Sequence, residues 1–293
     1  MISDKTKGVL LAFGAAIALA NSFVFSKAAL NEVSFVQFGV VWFSFGLIWN
    51  LIFFYGRKSH SLNFRNKRVF LSSSLIALLE AVATALFYVA ILRMENPAIV
   101  SFIGNLGPVF VTIWGVLFLN ERYGWKGTTG ILLTLAGVYI INYSSGINFK
   151  NLLIPGAEYV VIASFIFSIA TISARKFRKF IDSYLLSLLR VIMLFLGFSI
   201  WFLITKESLH IAVKPIINMV IGSFLETFLT IVFAYQALKY IEAAKTSLII
   251  STKSIFVLLS AFIAFQVFPP MYKLIGGALT IIGVMILSFT KSK

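Results

Sequence analysis

Apolar runs of 17 to 24 residues, separated by short polar loops, fill almost the whole chain. Ten segments are legible: Gly8–Ser26, Phe35–Tyr55, Val69–Leu92, Pro97–Leu119, Gly127–Tyr143, Leu153–Ala174, Tyr184–Ile204, Ile216–Leu238, Ala243–Gln266 and Met271–Phe289. Runs near ~18 to 20 residues match the thickness of a bilayer when helical. Barrel strands would be half as long and would alternate. Lys5, Lys7 and Ala18-Leu19-Ala20 also give the first segment the look of a secretory signal peptide. Removing it would break an internal repeat of the chain, so it is read as a helix.

The segments form two sets. Glu80–Asn142 matches Glu226–Ser288 without a gap at an offset of 146, with fifteen identities over sixty-three positions. These include Glu80/Glu226, Thr84/Thr230, Phe87/Phe233, Gly130/Gly276 and Gly137/Gly283. Gly8…Lys27 matches Gly156…Arg175 at an offset of 148. A matched carboxylate inside an apolar run is not explained by shared composition, and an internal repeat decides architecture. The expected domains are residues 7–143 and 153–289, joined by a polar linker, 144–152. Five helices per repeat is an odd number, so the second copy enters the membrane from the opposite side. The predicted fold is an all-α polytopic membrane protein of ten transmembrane helices in two inverted five-helix repeats.

Composition agrees: 60% hydrophobic and only 12% charged residues, against about a quarter charged in soluble domains. The net charge of +15 sits in short loops. With the N-terminus inside, sixteen Lys and Arg fall on the inner side and five on the outer. By the positive-inside rule both termini are cytoplasmic, as in a bacterial inner membrane. No basic face carries interleaved aromatics, so no nucleic-acid partner is expected. Cysteine is absent and the two histidines, His60 and His210, fall on opposite sides, so neither a metal nor a cofactor is expected. No HExxH, nucleophile elbow or P-loop occurs, and the chain is not read as an enzyme.

Candidate chemistry lies mid-span. Glu80, Glu226 and Lys253 each fall ten or eleven residues into a segment, ~15 Å deep at 1.5 Å per residue. A lone charge there costs at least ~2.5–3.5 kcal/mol, so such residues face a cavity or a partner. One reading is an inert pair of Lys253 with Glu226 or Glu80. Two acids to one lysine leave a carboxylate over, which makes Glu80 and Glu226 the proton-coupling candidates. Glu80, Thr84 and Phe87 share a helix face, and Glu226, Thr230 and Phe233 repeat it, with Tyr88, Tyr235 and Gln236 beside them. Asn21 and Asn105 are mid-span polar residues that either meet substrate or bond between helices. Arg190, Lys27 and Lys245 read as snorkelling cations near span ends. Pro108 is the hinge candidate, and most helix glycines read as close-packing positions.

The stretch LGPVFVTIWGVLFLNER at Leu106–Arg122, followed by GTTGILLTLAGVYII, resembles the signature of EamA-type members of the drug/metabolite transporter superfamily. The resemblance covers nearly the whole chain. It implies a secondary transporter working by alternating access, often an exporter of amino acids or other small metabolites, with a cavity between two bundles. The second copy departs from the pattern: Ser254 stands where the family has Pro, and Val267 where it has Glu. Trp42 occupies the place of an Arg common in the second helix. TKSIFVLLS around Lys253 resembles the basic stretch of sugar-phosphate members, which implies an anionic or zwitterionic small-molecule partner. Together these make Glu80, Thr84, Tyr88, Glu226, Thr230, Tyr235, Lys253, Asn21, Asn105 and Trp42 the expected substrate-binding set. The alternative is a membrane scaffold, or a lipid-handling flippase or enzyme, without metabolite flux.

Overall fold

The computed structural model describes residues 3–55, 67–119, 124–142, 154–177 and 182–289. The linker 144–152, His60 and the Glu121–Arg122 pair lie outside the described residues. All regular structure among the described residues is helical. The first half contains α1 (Asp4–Leu30), α2 (Phe35–Tyr55), α3 (Lys67–Arg93), α4 (Pro97–Ile103), α5 (Leu106–Leu119) and α6 (Trp125–Asn142). The second contains α7 (Ala157–Lys176), α8 (Ser183–Thr205), α9 (Val213–Ser223), α10 (Ile231–Tyr240), α11 (Ala243–Ser251), α12 (Lys253–Phe265) and α13 (Met271–Phe289). Polar side chains start several of them: Asn96 Oδ1 accepts from Ala98 N at 2.8 Å, and Asp182 Oδ1 from Tyr184 N at 2.8 Å. Such caps satisfy backbone donors that a helix leaves open.

Among the described residues eight stretches are long and apolar enough to cross a membrane, while Trp125–Ile141 and Met271–Ile286 are shorter apolar helices. At 1.5 Å per residue a 17-residue helix is about 26 Å long, a little under the ~30 Å hydrocarbon core.

The expected fourth and ninth segments are each split. Between α4 and α5 the chain turns at Gly104–Asn105, and between α11 and α12 at Thr252. Pro108 was the expected kink. It lies in the first turn of α5, and the break falls just before it. Its missing N–H leaves the Gly104 carbonyl to Gly107 N, at 3.0 Å, as proline's chemistry requires. The second break needs no proline. Ser254 Oγ instead lies 2.9 Å from Ser101 Oγ and 3.2 Å from both the Ser101 carbonyl and Asn105 Oδ1. Asn105 Nδ2 donates to Thr280 Oγ1 at 2.9 Å. The two broken helices thus lock each other at their turns.

Packing repeats with the sequence offset. α1 packs on α10 as α7 does on α3, α12 on α1 as α5 on α7, and α4 on α12 as α11 on α5. α2 and α8 face each other, and α6 pairs with α13. Within that last pair a Cβ on Gly137 would sit 2.5 Å from the Gly276 carbonyl oxygen, and one on Gly283 2.6 Å from that of Gly130. The matched residues run in opposite senses, so α6 and α13 are antiparallel with backbones in contact, the arrangement small residues permit.

Two cations read as snorkelling or left unassigned are instead structural. Lys27 is buried, and its Nζ donates to the carbonyls of Ile91 (3.2 Å) and Leu92 (3.5 Å) at the end of α3. Arg175 Nη1 does the same for Leu238 (2.6 Å) and Ile241 (2.9 Å) at the end of α10. Helix C-termini offer open carbonyls and a negative dipole end, which draw the cation inward. Lys27→Met should lower the apparent melting temperature in detergent by several degrees, about 1.5–3 kcal/mol for a charge-assisted hydrogen bond. An unshifted melt would show the cap to be dispensable.

Candidate functional site

Between the halves lies a cavity of about 190 Å³, smaller than the ~300–1,000 Å³ of drug-sized sites. Glu80, Thr84, Tyr88, Glu226, Thr230, Lys253 and Pro108 line it. Of the other expected residues, Asn21, Trp42, Asn105 and Tyr235 are not on its wall. Asn21 Nδ2 donates to Ile17 O of its own helix at 2.9 Å. Asn105 is consumed by the helix crossing. Trp42 and Tyr235 stand one layer behind, where each holds a carboxylate.

That layer is built around a residue the sequence reading placed elsewhere. Arg190 is 1% exposed and does not reach an interface. α8 runs between α2 and α3, so its side chain points into the bundle. Arg190 Nη2 pairs with Glu226 Oε1. Arg190 Nε and Nη2 also donate to Thr84 Oγ1 at 3.2 and 3.1 Å. Trp42 Nε1 lies 3.5 Å from the second Glu226 oxygen, and Tyr235 O–H donates to Glu80 Oε1 at 2.8 Å. Each of these contacts except the ion pair joins one half of the chain to the other. The signal was available: Arg190 is the position of Trp42 plus the 148-residue offset. The arginine missing from the second helix is present in its repeat partner.

The alternative reading, an inert pair of Lys253 with a carboxylate, is not what the described residues form. Glu226 takes Arg190, because α8 packs beside the helices that carry both acids. Lys253 enters from the other wall as the first residue of α12 and makes no ion pair among the described residues. It is 7% exposed. It is thus a buried cation on the cavity wall.

The two carboxylate motifs also differ in winding. Glu80 lies in uninterrupted α3, whereas Phe224–Thr230 is a π-helical turn. Thr230 Oγ1 donates to Leu225 O, five residues back, at 2.8 Å, and the Thr227 carbonyl accepts from Ser187 Oγ at 2.6 Å and Asn50 Nδ2 at 3.3 Å. Such turns are frequent at functional sites. The wider turn rotates the residues downstream of it about the helix axis. Phe87 lines the cavity, but Phe233 faces α1 near Gly14, so the expected common face of Glu226, Thr230 and Phe233 is not kept. Sequence reading also missed the hydroxyls of Ser164, Ser168 and Thr171 on the wall, although their i, i+4, i+7 spacing is a helix face.

An aromatic column packs behind Tyr88 of the cavity wall. Tyr88 packs edge-on against Phe38, Trp42 and Phe43, Phe43 stacks on Phe198, and Phe198 on Trp201. Beyond them Gln37 Nε2 donates to Ser208 O at 2.5 Å, Ser34 Oγ to Glu207, and Lys214 pairs with Glu32 at 3.1 Å. The wall extends the other way to Val111, Thr171 and Ser247.

The profile of the EamA-like transporter family matches the chain twice, over residues 6–143 and 154–289. The chain belongs to the EamA-like transporter family. It is therefore an integral membrane protein of a transporter family, built from two EamA repeats. The nicotine metabolites export pump subunit NepA of Paenarthrobacter nicotinovorans is 43% identical over 42 residues, 14% of this chain and 36% of NepA. The match thus spans about a third of that relative. A solved crystal structure covers 95% of this EamA chain, and is itself covered to 95%, at a TM-score of 0.71 and 14% identity, which shows the fold.

Proposed function

We propose that this EamA protein is a secondary active transporter that moves a small anionic or zwitterionic metabolite, an amino acid or organic anion, by alternating access. The proposed setting is a bacterial inner membrane, with both termini cytoplasmic and export as the direction. Ten spans form two inverted repeats, 7–143 and 153–289, with 144–152 between. The antiparallel α6–α13 pair and the packing that repeats with the sequence offset support the inversion. The observation that carries the function is the cavity itself: two carboxylates and a lysine with no ion pair among the described residues line one space between the halves. In that orientation the aromatic column closes the outer side and the cavity extends toward the cytoplasm.

Lys253 takes the anionic group, and Glu80 and Glu226 are the acidic candidates for an amine or a proton. Neither role depends on a bound cofactor. The relation to NepA, a nicotine metabolites export pump subunit, supports export of a small organic molecule. The test is counterflow in proteoliposomes against a panel of labelled amino acids and organic acids. Saturable exchange of at least one member is expected, and Lys253→Gln should raise its KM at least about tenfold, since a charged hydrogen bond contributes ~1.5–3 kcal/mol. No exchange with any member of the panel would point to a scaffold or lipid-handling role.

A further inference from the structure

Two carboxylates share one guanidinium behind the cavity, and the contacts divide them. Glu226 holds the ion pair with Arg190 and faces the Trp42 N–H. Protonating it would leave a 1% exposed guanidinium without its counter-charge, a strongly unfavourable state. Arg190 is already short of partners, since its Nη1 is buried without a hydrogen bond. Glu80 is different. Its hydrogen bond comes from a neutral phenol, Tyr235, and it lines the cavity. It can lose its charge without stranding a cation. With both acids ionised the cluster carries one negative charge in excess, and one proton neutralises it.

The groups facing Glu80 are few. α8 supplies Arg190, the π-turn Glu226, and α10 Tyr235. α1 and α7 add the hydroxyls of Ser22, Ser164, Ser168 and Thr171 among apolar side chains, α3 itself adds Tyr88, and Lys253 stands on the same wall with no ion pair among the described residues. Lys27 is engaged at the far end of α3, Glu158, Arg175 and Lys176 lie at the ends of α7, and α4 carries no titratable residue.

We infer that Glu80, and not Glu226, is the carboxylate that takes up and releases a proton, and that Tyr235 is its positioning residue. This rests on the transporter reading above. The carboxylate takes one proton from a hydronium ion in cavity water, so that one hydronium O–H bond breaks as the carboxyl O–H forms, and the reverse step returns it. Tyr235 belongs to the opposite half and acts only through Glu80. Movement of the halves therefore alters the one hydrogen bond that favours the charged carboxylate, which links protonation to the change of access.

The test uses full-length protein in proteoliposomes holding a pH dye, loaded with an L-amino-acid mixture plus succinate. An outside pH jump drives substrate-dependent proton flux, and counterflow is measured in parallel. Glu80→Gln should lower proton flux at least tenfold and flatten the pH profile of counterflow. Glu226→Gln should lower the melting temperature and, whatever counterflow its folded fraction retains, leave the pH midpoint of that counterflow where it lies in the parent. Tyr235→Phe should retain flux with a displaced pH midpoint. Wild-type proton flux in Glu80→Gln, or a folded Glu226→Gln whose remaining counterflow has lost its pH dependence, overturns the assignment. Should Glu80→Gln not fold, Tyr235→Phe decides alone, and an unmoved midpoint overturns it. Counterflow without proton flux in the parent protein defeats this inference only. Absence of both defeats the transporter reading.

Discussion

Arg190→Met should destabilise the protein by about 3–5 kcal/mol, the cost of removing one partner from a buried ion pair. Methionine fills much of the same volume, so the loss is electrostatic. Glu226 keeps its negative charge beside Trp42 with no cation against it, and Thr84 loses both of its donors. The pair also ties α8 to the π-turn and, through Thr84, to α3, so transport should fall with stability. A double variant, Arg190→Met with Glu226→Gln, should regain most of the melting temperature, because the stranded charge is gone. Thermal unfolding in detergent checks both. A single variant that melts with the parent, or a double variant no better than the single, would show that the pair does not hold this region.

Gly137→Val is the second large expected effect. The first added carbon would fall 2.5 Å from the Gly276 carbonyl oxygen and 2.7 Å from Thr280 Cγ2, distances that backbone cannot absorb by a rotamer change. α6 and α13 must separate along their length. Overpacking costs ~1–3 kcal/mol in cores that can adjust. Here two backbones meet, and lipid offers the helices no hydrophobic force to bring them back together. The expected result is a loss at or above the upper figure, with reduced yield of monodisperse protein. Gly197→Ala is the matched control. It lies within α8 with nothing within 4 Å of an added Cβ, and should be neutral or stabilising by about 0.5–1 kcal/mol. Equal behaviour of the two variants in size-exclusion chromatography and melting would remove the close-contact account.

Both expectations concern residues that sequence reading treated differently. Gly137 was legible as a packing position because it recurs with Gly283 at a fixed offset. Its exact neighbour was not, since many helix pairings satisfy the same small-residue pattern. Glu80 and Glu226 were legible because a carboxylate ten or eleven residues into an apolar run has no inexpensive place to go. Arg190 escaped for the opposite reason. Six residues into its segment, a long flexible cation has an alternative at the interface, and only the position of α8 between α2 and α3 removes it. Lys27 was misread on the same ground. The split of the fourth segment was half legible through Pro108. The matching split at Thr252 carries no proline and depends on the hydroxyls of Ser101 and Ser254 meeting across the crossing.

The amino-acid sequence alone therefore determined the membrane class, the twofold repeat and most of the helical segments, and it singled out the two acids and the lysine within them. A bilayer imposes those demands on each segment separately: length, apolarity and the penalty on a lone charge are all local. Tertiary structure alone decided which charge meets which, that Trp42 and Tyr235 hold carboxylates from behind, and that Glu226 rides on a π-turn while Glu80 does not. Those outcomes depend on how helices far apart in the chain cross. A few degrees of crossing angle, or one extra residue in a turn, changes the partner of a buried group without changing the pattern that carries it.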